Sequence, residues 1–221
     1  MSNYGSHSLG SELNTGFFTK VLDKLGYQIG MKYGKSRLRI AGSKMYELCV
    51  TPIDHLYFFK ACGLPDTYNS WFVITELHVW MCMVRLMRED REGRFTRNIL
   101  VQMMWDDVDK RCKQLGNLGS DRTMYIQELH EHFQASLFGY DEGILGNDMV
   151  LAAAIWRHFY AMKLDDPIKL NLLVGYIRRN VHNLDNVQSE KLLRKGDVAW
   201  LPLEEGVKTP DYMSKRERKI V

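Results

Sequence analysis

The sequence predicts an all-α fold: a single helical bundle domain with a basic N-terminal helical extension and a short extended C-terminal clasp. Three observations predict it. Apolar residues recur at helical spacing in one segment after another. Gly, Pro, Asp and Asn cluster between those segments, where helices start and stop. Alternating apolar and polar runs of the strand type are almost absent. At 221 residues, 45% hydrophobic and 26% charged, the chain can bury a core without disulfides or metal.

The elements follow in order. Phe17 to Tyr33 carries Phe18, Val21, Leu22, Leu25 and Ile29 at helical spacing, weakened by Gly26 and Gly30. Lys35 to Lys44 reads as basic and loosely ordered, and Lys44 to Val50 as a helical turn or two stopped by Pro52. Asp54 to Cys62 is a short helix closed by Gly63 and Pro65. Asn69 or Ser70 caps the next helix, which runs to about Glu89, where EDREGR breaks it. Arg94 to Leu115 follows, with Gly116, Asn117 and Gly119 as its stop. Then come Asp121 to Tyr140, a turn over Asp141 to Gly146, and a helix capped by Asn147 or Asp148 that reaches Met162. Asp165-Asp166-Pro167 opens the last long helix, with Pro167 in its first turn, ending near Leu184. Ser189 to Lys195 is short, and DVAWLPL is an extended apolar clasp. The expected divisions are a disordered N-terminus at 1–16, the basic extension at 17–45, the helical domain at 46–203 and a charged tail at 204–221. No internal repeat is present.

The stretch NSWFVITELHVWMCMVRLM, Asn69 to Met87, is greasy enough to raise the question of a membrane span. Trp71 to Met87 would rise only about 25 Å, short of the ~30 Å hydrocarbon core. It also carries Glu76, His78 and Arg85, and each mid-bilayer charge costs roughly 2.5–3.5 kcal/mol. A central core helix is the expectation, with Arg85 paired to an acid of a neighbouring helix. A sharper alternative has Trp71, Phe72 or Trp80 projecting outward as anchors for another protein.

Motifs for chemistry are missing. No HExxH, Walker loop, Gly-x-Gly-x-x-Gly or Gly-x-Ser-x-Gly occurs. Glu76-Leu77-His78 and Glu128-Leu129-His130 are one residue too short for the Glu-x-x-His of a di-iron bundle. His130 and His132, two apart, face opposite sides of a helix. Cys49, Cys62, Cys82 and Cys112 form no CxxC and read as reduced, buried side chains. The expectation is therefore no enzyme, no cofactor and no metal. Charge is more informative than motif. The net charge is +3, which gives no global case for nucleic acid. Locally, Lys20 to Lys44 holds seven bases against Asp23, whereas Asp121 to Val150 holds six acids against Arg122. Lys32, Lys35, Arg37 and Arg39 are thus candidates for contact with a membrane surface or ribosomal RNA. Asp141 and Glu142 read as turn chemistry, or as an acidic patch for a partner.

The segments LGYQIGMKYGKSRLRIAGSKMYE, FFKACGLPDTYNSWFVITELHVWMCMVRL, YDEGILGNDMVLAAAIWRHFY and VAWLPL together resemble the ubiquinol–cytochrome c chaperone family, from about Phe17 to Leu203. The resemblance implies a helical, non-catalytic assembly chaperone for mitochondrial respiratory complex III, peripheral to the matrix side of the inner membrane. It implies a small helical co-chaperone in a heterodimer and newly made cytochrome b as client. Contact with the mitochondrial ribosome is a further implication; DNA is not. The first residues, MSNYGSHSLGSELNTG, have neither an apolar h-region nor an Arg-rich amphipathic pattern, so localisation rests on the resemblance. The expected partner surface includes Trp71, Phe72, Trp80, Trp156 and Phe159, with Asp141 and Glu142. The competing reading is a helical lipid- or quinone-binding protein or enzyme of the inner membrane, using an internal pocket of His78, Arg85, Asp141 and Glu142.

Overall fold

A computed structural model describes residues 31–114 and 121–204. Eight helices make up the described residues: α1 Lys35–Val50, α2 His55–Cys62, α3 Tyr68–Leu86, α4 Asp90–Gln114, α5 Arg122–Leu145, α6 Asp148–His158, α7 Pro167–Asp185 and α8 Ser189–Lys195. The predicted Phe17 to Tyr33 helix, the Gly116 to Gly119 stop and the charged tail lie outside the described residues, apart from the last positions of that helix.

α3 runs through the centre and touches α1, α2, α4, α5 and α7. Every residue from Ser70 to Cys82 is buried, which explains a run that is apolar nearly all round. Its N-cap is Thr67, whose hydroxyl accepts from Ser70 N at 3.3 Å, two residues before the expected cap. Polar Tyr68-Asn69 thus belongs to the first turn. Three other caps were legible in the sequence. Asp54 accepts from Tyr57 N at 2.9 Å. Asn147 accepts from Met149 N and Val150 N at 3.0 and 3.1 Å. Asp166 accepts from Ile168 N at 2.9 Å, ahead of Pro167.

α1 is a correction. The stretch read as loosely ordered is one 16-residue helix, and it runs across position 45 without a break. Leu38, Ala41, Met45 and Cys49 are fully buried on one stripe. Arg37, Arg39 and Lys44 sit on the other side and mask that stripe in a reading by composition. The α3–α4 break is also shorter than expected: α4 begins at Asp90, which takes φ +38°.

α5 is a second correction. It does not stop at Tyr140 but continues through Asp141, Glu142 and Gly143 to Leu145. The glycines there are not turn residues. A Cβ on Gly143 would lie 2.9 Å from Leu151 Cα, and one on Gly139 would lie 2.6 Å from His158 Nε2. They let α6 close onto α5, and these two helices form the most extensively packed pair. Arg178 of α7 fastens their elbow, donating to Ile144 O and Gly146 O, both at 2.7 Å, and to Asp148 Oδ1 at 3.1 Å. α6 ends at His158, earlier than expected, in a turn where Ala161 and Met162 both take positive φ, +48° and +61°.

The C-terminal clasp is present as extended chain. Trp200 Nε1 donates to Leu48 O at 2.7 Å. Asn180 accepts from Leu201 N at 2.8 Å and donates to Tyr176 O at 3.0 Å. Asn183 donates to Ala199 O, and Arg179 to Leu203 O, both at 2.8 Å. No strand occurs among the described residues.

Candidate functional site

One surface feature is an open apolar cleft between α6 and α7. Its volume is about 490 Å³, within the range of natural ligand and segment sites. Inward-facing Leu151, Ala154 and Ile155 hold α6 on the core. The opposite side of the helix then turns Met149, Ala152, Ala153 and Trp156 to the cleft, faced by Leu164 and Leu170. The two alanines are small enough to leave the space open. Trp156 is 37% exposed, and its indole donates to Leu164 O at 3.1 Å, so the ring is fixed before anything binds. Asp165, Asp166 and Pro167 form the mouth.

Other exposed apolar residues lie on α5, in the α6–α7 turn and at the start of α7. Met149, Ile168 and Met162 are 78%, 79% and 61% exposed, and Phe138 and Leu145 on α5 are 80% and 89% exposed. Single exposed apolar residues are ordinary; within the cleft itself Met149 and Trp156 are the exposed ones. Trp156 of this set was expected from sequence; Met149, Leu164 and Ile168 were not. α6 is apolar on every side, so periodicity does not say which side faces out.

The other expected anchors lie inside. Phe72 and Trp80 are 0% and 1% exposed, and Trp71 and Phe159 are 8% and 3%. The reason is that helices pack around α3, which leaves it no outward side. The Arg111 guanidinium further covers Trp71, 4.3 Å from its ring. Asp141 is exposed and accepts from Trp80 Nε1 at 2.8 Å; Glu142 is exposed on the same turn. Lys32, Arg37 and Arg39 are exposed and Lys35 is half-buried, all at the N-terminal end of α1. Lys32 N donates to Glu92 Oε1 at 2.5 Å, and the Arg39 guanidinium lies 6.0 Å from the Phe95 ring.

The internal pocket of His78, Arg85, Asp141 and Glu142 is not formed. His78 Nε2 meets Tyr176 OH at 2.6 Å and its Nδ1 meets Ile74 O at 2.7 Å. Burial pushes it down to about 3, so it is neutral. Arg85 lies farther along α3, donating to Leu184 O at 3.0 Å, to Val187 O at 2.7 Å and to Glu89 at 2.5 Å. Its acid therefore comes from the α3–α4 connection, one turn on, rather than from a neighbouring helix.

One buried cluster was not expected. Glu76 is fully buried on α3, and neither carboxyl oxygen has a hydrogen-bond partner. His132 Nε2 lies 3.5 Å away. Tyr140 OH is also buried and unpartnered. Ser136 is close by, but its hydroxyl is donated to Phe133 O at 2.9 Å. Burial pushes the Glu76 carboxyl up to about 8, against a lowering from the Ser136 hydroxyl, which favours the acid form at neutral pH.

Among the described residues, no group of three or more His, Cys, Asp or Glu is placed to hold a metal ion, and no helix is long and apolar enough to cross a membrane. An all-α body with an open apolar cleft defines a class, a helical domain with an apolar surface groove. Comparison with known proteins narrows the class. Residues 60–200 match the ubiquinol-cytochrome C chaperone family, and the chain belongs to that family. It is 44% identical over 194 residues to ubiquinol-cytochrome c reductase complex assembly factor 1 of Homo sapiens, covering 88% of this chain and 65% of the relative. Against the Xenopus laevis assembly factor it is 45% identical over 181 residues, covering 82% and 90%. The mitochondrial protein CBP3 of Saccharomyces cerevisiae is 28% identical over 195 residues, with 82% of this chain and 57% of that protein covered. The crystal structure of the Cbp3 homolog from Brucella abortus superposes with a TM-score of 0.64 at 18% identity, over 87% of this chain and 98% of that one, and so shares the fold. The chain thus spans about two thirds of the human relative's length.

Proposed function

We propose that this chain is an assembly chaperone for mitochondrial respiratory complex III that holds newly synthesised cytochrome b, together with a small helical partner protein, at the matrix side of the inner membrane. The single observation that carries the reading is the α6–α7 cleft, an apolar surface on a family-matched helical body. A protein that handles a membrane subunit must offer apolar surface without itself entering the bilayer. The cleft lined by Met149, Ala152, Ala153, Trp156, Leu164 and Leu170 supplies such a surface. Trp156 is the anchor, because it is the one expected aromatic that reaches solvent. Exposed Asp141 and Glu142 on α5 are assigned to basic residues of the partner. Lys32, Lys35, Arg37 and Arg39 lie on α1 or just before it and are assigned to the ribosome or the membrane surface. No reaction is assigned to the chain.

The test is depletion followed by rescue. Without the protein, newly made cytochrome b should turn over quickly and complex III should fall; normal accumulation sinks the reading. Rescue with Trp156→Asp should leave the protein folded, since the ring is partly exposed, and should cut cytochrome b capture at least tenfold, as expected when a central aromatic anchor is lost.

A further inference from the structure

α5 buries Leu129, Phe133, Ser136 and Tyr140 against the core and sets Gly139 and Gly143 against α6. Its opposite side is turned to solvent and has a regular pattern. Met124, Glu131, Phe138 and Leu145 follow one another at intervals of seven and are all exposed. Exposed Glu128 and Glu142 stand among them. At 100° per residue these six positions fall within an arc of about 100°, and they extend along roughly 32 Å of helix. Exposed Asp141 lies at the edge of the arc.

The acids on this side are unspent. Elsewhere, exposed or half-exposed acids meet bases: Asp107 meets Arg111 at 3.0 Å, Asp148 meets Arg178 at 3.1 Å and Asp185 meets Arg88 at 3.2 Å. Among the described residues, no ion pair joins Glu128, Glu131, Asp141 or Glu142 to a Lys or Arg. Glu131 accepts from Gln127 Nε2 at 3.1 Å and Asp141 from the Trp80 indole, both neutral donors. Arg122 is the sole Lys or Arg of α5, and it is held by Asp109 at 3.1 Å.

An apolar stripe framed by unpaired carboxylates selects its occupant by charge. Phosphates of nucleic acid or of an anionic lipid surface would be repelled. A second copy docked by twofold symmetry would bring acids against acids. An uncharged apolar segment would desolvate the carboxylates and return nothing. We propose that the outer side of α5 docks an amphipathic helix of another protein, apolar along one stripe with Lys or Arg on its flanks. The chain's own basic stretch before α1 is led elsewhere, since Lys32 is tied to Glu92 at the start of α4, and α1 packs on α3, α4 and α8. The α6–α7 cleft lies on the other side of α6, so both surfaces can be filled together. That the docked helix belongs to the small helical partner rests on the chaperone reading; the surface and its chemistry do not.

The test places a photoreactive group on the surface of the full-length chain in the cells that make it. Phe138→p-benzoylphenylalanine is irradiated, and the attached peptide is sequenced by mass spectrometry. The expected adduct is with one other protein, through a segment with Lys or Arg beside apolar residues spaced three and four apart. Glu128→Lys with Glu142→Lys, both at exposed positions, should lower its yield at least tenfold. Exchanging the partner's facing bases for Glu should then restore it. Trp156→Asp, in the cleft, should leave the yield unchanged. An adduct with lipid, nucleic acid, a second copy, residues 1–30 of the same chain or an uncharged apolar segment overturns the proposal. So does the absence of an adduct, or a yield that charge reversal does not change. Should the reversed chain fail to fold, the adduct is followed with α5 otherwise intact, where a yield constant from about 0.05 to about 0.5 M salt refutes the charge frame. Depletion and rescue read cytochrome b instead, so the chaperone reading can fail while the adduct stands, and the reverse.

Discussion

Glu76 and His78 are two residues apart on α3, both fully buried, both held neutral by burial, and they are solved in opposite ways. On the His78 side every ring nitrogen has a partner, and Trp200 packs edge-on at 4.6 Å between centroids. Phe58 and Tyr176 close the same nest. On the Glu76 side, the carboxyl oxygens and the Tyr140 hydroxyl have no hydrogen bond of ordinary geometry, and His132 Nε2 stands 3.5 Å from the carboxyl. The difference teaches where the molecule is fixed and where it has latitude. Satisfied buried polar groups specify one arrangement, and unsatisfied ones cost stability that the surrounding packing must offset.

The largest way to break this contrast is on the tight side. Trp200→Ala removes the ring against His78 and the bond to Leu48 O, and should cost about 3–5 kcal/mol in urea unfolding, the usual range for a large core aromatic. A loss under 1 kcal/mol would mean the clasp is an accessory. On the loose side, Glu76→Gln should change the pH response. Folding stability from Glu76 is complete below about 4.5 and is lost as pH rises through about 8. The unsubstituted protein should therefore lose about 1.5 kcal/mol between pH 6.5 and 8 from this one group, while Glu76→Gln stays flat. Equal slopes in the two proteins would erase the asymmetry. The smallest effect sharpens the picture next to the cleft. Ala161 takes φ +48°, a conformation that glycine adopts freely, so Ala161→Gly should raise stability by about 0.5–1 kcal/mol. A loss would show that the α6–α7 turn is held by the Ala161 side chain.

Much of the architecture was written in local chemistry. Asp54, Asn147 and Asp166-Pro167 mark helix starts because a side chain that accepts from a free backbone N–H does so wherever the helix packs. The central place of α3 followed from apolar residues on all its sides. What was hidden depends on neighbours. α1 looked like a basic tether because Arg37, Arg39 and Lys44 dominate its composition, although Leu38, Ala41, Met45 and Cys49 make its buried stripe. Asp141 and Gly143 looked like a turn, and only the closeness of α6 shows Gly143 to be a contact point. The candidate site was legible in one residue, Trp156. Trp71, Phe72, Trp80 and Phe159 are equally aromatic, and nothing local separates an aromatic at a surface from one in a core. The family was legible from segment resemblance, whereas the cleft needed coordinates.

The bond from Trp200 to Leu48 O joins points 152 residues apart. During synthesis the first helix must therefore wait for almost the whole polypeptide before its final neighbour arrives. Contacts of such long sequence separation form late and slowly. A nascent copy, with His78 still uncovered by its last aromatic neighbour, would itself need shelter before it can offer any.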